Sequence, residues 1–168
     1  MVNTQVNDRQ VVSYRFKDTG RLVGIKKVSP MLAAELRRSF PPPKPPMEEV
    51  DYGDGKKVLE PNSAHPGYQS VMEDYNQQMN ERVQRLLIKR GVVVAWDDEK
   101  KQEVADLRSF WKEEYATELQ GSDVEVYVNH ICVGTQEDLQ ELIQAITQRS
   151  GATEEVIQSH LETFPDKV

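Results

Sequence analysis

A single cysteine, Cys132, stands in a chain of 168 residues, so no intrachain disulfide can form, as suits a reducing cytoplasm. No stretch approaches the ~20 apolar residues that a membrane-spanning helix needs. Residues 1–10 are polar and lack the apolar centre of an export signal. A cytoplasmic protein with no membrane partner is therefore expected. Basic runs are equally scarce: the longest are pairs such as Lys26-Lys27, Arg37-Arg38 and Lys56-Lys57. Phosphate contacts need clustered Lys and Arg, so nucleic acid is not an expected partner. A phosphate loop, a dinucleotide fingerprint, His-Glu-x-x-His and Gly-x-Ser-x-Gly are all missing. The expectation is a non-enzymatic protein with no catalytic residues, no cofactor and no metal.

What is present begins with charge. The net charge of −7 is unevenly spread: residues 1–40 hold 8 Lys and Arg against 3 Asp and Glu, residues 41–96 hold 7 against 8, and residues 97–168 hold 6 against 17. Such polarity favours attraction between copies, hence a possible homo-oligomer, or a basic partner for the acidic end. With 38% hydrophobic and 29% charged residues, the chain is polar for a globular protein yet too apolar to stay unfolded.

The pattern of elements predicts an α+β fold: an N-terminal β-hairpin plus helix, a proline-rich spacer, and a mostly helical body with a few short strands. Three regions are expected, a basic hairpin and helix module over 1–40, a proline-rich linker with a second hairpin over 41–66, and an acidic helical body over 67–168. The β-prone runs 11–16 and 21–28 flank the turn Lys17-Asp18-Thr19-Gly20. Ser29-Pro30 opens a helix running through Phe40, which the prolines at 41–43 stop. Residues 41–46 should form polyproline II, a stiff spacer of about 3.1 Å per residue. A hairpin is expected around Gly53-Asp54-Gly55.

Residues 67–90 carry the strongest helical period, with Tyr68, Met72, Tyr75, Met79, Val83, Leu86 and Leu87 on one face, and Gly91 reads as a left-handed stop. Residues 92–96 are β-like. A helix from Asp97 or Asp98 places Val104, Leu107, Trp111 and Tyr115 on one side. Residues 123–134 read as a strand with Val124, Val126 and Val128 facing one way. Thr135 caps a helix with Asp138 at its third position. A last helix is expected over 153–164.

Three clusters invite a chemical reading, and each has a simpler one. On a strand, His130 and Cys132 would share a face. Nucleophilic cysteine chemistry needs an imidazole within hydrogen-bond reach of sulfur, which i and i+2 neighbours rarely achieve, so burial of both is favoured. Asp51 to Glu60 imitates a calcium loop, but Gly53 and Gly55 stand where oxygen ligands belong. The acidic groups 97–99 and 113–114 fit helix starts and solvated faces. Partner binding is the more promising theme. The candidates are Pro42, Pro43, Pro45 and Pro46, as a ligand for an aromatic groove against the simpler reading of a spacer, and Tyr68, Met72, Tyr75 and Met79, as an adaptable helix face against the simpler reading of core packing.

Residues 41–95 combine the proline run, the Gly-Asp-Gly hairpin, Glu60-Pro61-Asn62, Pro66-Gly67-Tyr68, a helix containing Tyr75, and the segment Arg85-Leu86-Leu87-Ile88-Lys89-Arg90-Gly91-Val92. Together these resemble phage and prophage proteins described as tail assembly chaperones. The resemblance implies a non-enzymatic role: keeping tape-measure or tail-tube subunits soluble in the host cytoplasm until the tail polymerises. It carries no catalytic residues. A structural tail or neck component retained in the virion is the alternative, with the N-terminal hairpin adding a strand to a neighbouring subunit. A host-directed adaptor that docks through the proline run is a further one.

Overall fold

The computed structural model describes residues 11–151. The polar residues 1–10 and the helix expected over 153–164 lie outside them. The fold is α+β, and the described residues form two units, one of residues 34–83 and one built from the flanking segments. The boundaries between the units fall inside two helices.

In the flanking unit, β1 (Val12–Arg15) and β2 (Leu22–Ile25) pair antiparallel, and β2 also pairs with β5 (Val92–Val93). The turn between β1 and β2 uses Gly20 at φ 69°, and its amide donates to the Phe16 carbonyl at 2.9 Å. The fully buried Phe16 lies at the head of this turn, and Val23 and Ile25 point inward from β2. Charged and polar residues of the turn fasten the hairpin to the rest of the unit. Arg21 pairs bidentately with Glu103 at 2.6 and 2.7 Å, Lys17 pairs with Glu141, and the Thr19 hydroxyl donates to the Cys132 carbonyl at 2.6 Å. Part of the attraction between the basic N-terminal and acidic C-terminal stretches is thus satisfied within one chain.

Helix α3 (Asp98–Tyr115) starts where Asp97 accepts from the Lys100 amide at 2.8 Å, as expected of an N-cap. Helix α5 (Gln136–Arg149) is capped by Thr135 and buries Leu142 and Ile146. Its capping differs in one detail from the sequence pattern: the buried Asp138 carboxylate accepts from Gly134, one residue before the cap.

The strand expected over 123–134 is corrected to helix. Residues Asp123–Tyr127 form α4, continued by a π-helical turn over Val128–Cys132 in which the Val133 amide bonds the Val128 carbonyl at 3.0 Å. The physical reason is the preceding turn. Ser122 accepts from the Glu125 amide while Glu125 accepts from the Ser122 amide at 2.7 Å, a complete capping box that nucleates helix against the β preference of the valines. Val126, Tyr127, Val128 and Cys132 are all buried, so their spacing could not separate strand from helix.

Gly91 is corrected too. It ends helix α2 (Pro66–Gly91) without positive φ. Its lack of a side chain matters because an added Cβ would stand 2.7 Å from Ile146 Cγ2 and 3.0 Å from Val28 Cγ2.

The unit of residues 34–83 holds most of α1 (Leu32–Ser39), the proline run, the hairpin of β3 (Met47–Asp51) and β4 (Lys57–Pro61), and the first two-thirds of α2. Asp51 and Asp54 side chains accept from the Gly53 and Lys56 amides, and Gly53 and Gly55 adopt positive φ, so the turn is self-supporting.

Candidate functional site

Two of the candidate residues read from the sequence, Tyr68 and Pro43, meet one another, and Tyr75 holds the residue just before the proline run. The Tyr75 hydroxyl donates to the Phe40 carbonyl at 2.7 Å, and the Tyr68 hydroxyl donates to the Pro43 carbonyl at 3.3 Å. Seven residues of α-helix advance about 10 Å and three of polyproline II about 9 Å, so the two bonds match an extended run lying antiparallel to α2. The Arg82 guanidinium covers the Phe40 ring at 3.5 Å, and the Asn62 amide donates to the Pro46 carbonyl at 2.8 Å, closing the far end.

Proline repeats leave their carbonyls without intrachain partners, which is why phenols at the right spacing can hold them. Pro42 stays exposed, while Pro43, Pro45 and Pro46 are half-buried. Tyr68, Met72 and Tyr75 are half-buried and Met79 is 2% exposed. Burial pushes the Tyr75 phenol up, with Arg37 pulling the other way. Tyr75→Phe and Tyr68→Phe should each lower stability by about 1 kcal/mol in denaturant titrations. Unchanged midpoints would mean that the phenols do not hold the run.

His130 and Cys132 do not share a face. Cys132 is fully buried as expected, whereas His130 is exposed, with its ring 5.5 Å from Trp111. Burial pushes the Cys132 thiol up to about 11, so its thiolate is scarce at neutral pH. Among the described residues no group of three His, Cys, Asp or Glu side chains is placed to hold a metal ion.

Sequence reasoning missed a surface at the end of α3. Tyr115, expected on the inner face with Val104, Leu107 and Trp111, is 59% exposed, and Phe110 beside it is 51% exposed. Their rings meet edge to face at 6.2 Å, Trp111 tilts against Tyr115 at 4.9 Å, and His130 extends the group through Trp111. Glu113, Glu114 and Glu118 are exposed nearby in sequence, alongside Lys112. Arg108 is committed elsewhere, donating to the Leu119 and Gly121 carbonyls and to Asp123, which pins the loop after α3. The available signal was Phe110-Trp111, two adjacent large rings that cannot both face inward on one helix.

No family model, no curated protein and no solved structure matches the chain. Among the described residues, no helix is long and apolar enough to cross a membrane.

Proposed function

We propose that this chain is a non-enzymatic phage tail assembly protein, a chaperone that keeps tape-measure or tail-tube subunits soluble in the host cytoplasm before the tail polymerises. The resemblance over residues 41–95 supports the setting. The observation that carries the client-holding role is the ring group at the acidic end of α3, where Phe110 and Tyr115 are exposed around a half-buried Trp111 and His130 joins from the π-helical turn. Rigid aromatic anchors supply most of the energy at protein interfaces, and an acidic surround keeps a complex with an apolar client in solution.

The apolar faces of α2 and α5 are weaker candidates for the client, because Met79, Val83, Leu87, Leu142 and Ile146 are buried. The test is capture of tail proteins from induced cells by the tagged chain. Phe110→Ser combined with Tyr115→Ser should reduce client recovery about tenfold or more, since both rings are truncated. Recovery equal to wild type would contradict the reading.

One observation favours the alternative of a structural component retained in the virion. β1 is an edge strand, paired only with β2 among the described residues, and Val12 on it and Val11 just before it are exposed. A neighbouring subunit could add a strand there. A host-directed adaptor role, with the proline run docking a cellular groove, is less favoured, because the Phe40, Pro43 and Pro46 carbonyls are already engaged.

A further inference from the structure

The β3–β4 hairpin is a two-stranded sheet, unpaired at both edges among the described residues, with Val58 46% and Leu59 60% exposed. A hairpin of this size is marginal in water without a further strand or a packed face. Its ladder also sets Glu48 directly opposite Glu60, and like charges facing one another across a sheet destabilise it. Lys56, immediately before β4 and two residues from Val58, makes no ion pair among the described residues.

These features favour one kind of added strand. Two copies of β4 pairing antiparallel about a two-fold axis normal to the sheet keep every side chain on its own face. Each allowed register therefore pairs one residue with itself at the centre. Centring on Lys57 opposes two ammonium groups. Centring on Leu59 opposes Val58 to Glu60 and brings Pro61, which has no N–H, into the ladder. Centring on Val58 instead places Lys56 opposite Glu60 of the second copy, twice by symmetry. It also aligns Val50 and Val58 of both copies in one row across four strands. The β3 edge offers no such solution, because Glu48, Glu49 and Asp51 have no cation on the strand to face in any register.

We propose that the chain self-associates through the outer edge of β4, in the register centred on Val58, into a continuous four-stranded antiparallel sheet. The Lys56 of each copy neutralises the Glu60 that Glu48 opposes, which gives both hairpins the third strand and the charge partner they lack. The inference concerns the hairpin alone and does not depend on which client the protein holds.

Sedimentation velocity on the full chain, from low to high micromolar concentration, reads the association directly. Wild type should show a reversible monomer–dimer equilibrium. Lys56→Glu should weaken it about tenfold or more, since both symmetric rows become repulsive. Adding Glu60→Lys to Lys56→Glu exchanges the charges within every row and should restore dimerisation. A monomeric wild type, a dimer indifferent to Lys56→Glu, or a double variant that stays monomeric would each overturn the proposal.

Discussion

Gly91→Ala should destabilise the protein by about 1–3 kcal/mol, the usual cost of forcing a methyl group into a filled core. The added Cβ would stand 2.7 Å from Ile146 Cγ2 and 3.0 Å from Val28 Cγ2, and Ile146 and Val28 are both buried, with little room to give. The same spot is bound from a second direction. Ser150, at the end of α5, donates to the Ile146 carbonyl at 2.7 Å and accepts from the Val28 amide at 2.9 Å. The neighbours of Gly91 are thus tied to each other as well as packed. Chemical denaturation of Gly91→Ala, Ile146→Ala and the pair separates crowding from helix propensity. Alanine is the better helix former, so a backbone effect alone would stabilise. The double variant should lose less than the two single losses added together, because removing the isoleucine branch makes room for the new methyl. Strict additivity would mean that the close approach is not what Gly91 serves.

Glu125→Ala should cost about 2–3 kcal/mol, since it removes a helix cap and orphans a backbone amide. Glu125 is 6% exposed and does two things at once. One oxygen accepts from the Ser122 amide at 2.7 Å and the other from Arg85 Nε at 3.0 Å. Burial by itself would push this carboxyl up. The Ser122 amide, the Arg85 guanidinium and the Ser122 hydroxyl together outweigh it and hold the group below its ordinary value of 4.5. A carboxyl depressed on folding contributes stability that is fully present above its unfolded pKa and is lost as pH falls through the folded one. Glu125→Gln keeps an acceptor for Ser122 and loses the charge. Wild type should therefore exceed Glu125→Gln in stability at neutral pH, with the gap closing as pH drops below about 4.5. A gap that stayed constant down to strongly acidic pH would show that the charge on Glu125 contributes nothing.

The sequence was most readable where a local signal and the tertiary environment agree. The Lys17–Gly20 turn, the Gly53-Asp54-Gly55 turn, the proline stop after α1 and the long period of α2 all rest on backbone chemistry that neighbours do not alter. Residues 123–134 failed because valine-rich spacing suggested a strand while the Ser122–Glu125 capping box specified a helix, and the buried run Glu125 to Val128 carries no period that would have decided between them. Gly91 failed differently: a glycine after a helix reads as a left-handed stop unless the side chains it must pass are known. The proline run was legible as an extended segment and the Tyr68–Tyr75 stripe as one face of a helix. Their mutual engagement was not, because it depends on a seven-residue helical advance matching a three-residue extended one across the fold. The ring group at the end of α3 includes His130, brought to Trp111 by the π-helical turn that the sequence had given to a strand.

The measurement closest to the central claim is quantitative mass spectrometry of purified phage particles beside the lysate they came from. A chaperone should be abundant in the lysate, bound to a tail subunit, and missing from finished particles. A fixed, stoichiometric number of copies in every particle would contradict that role and make the chain a building block of the tail.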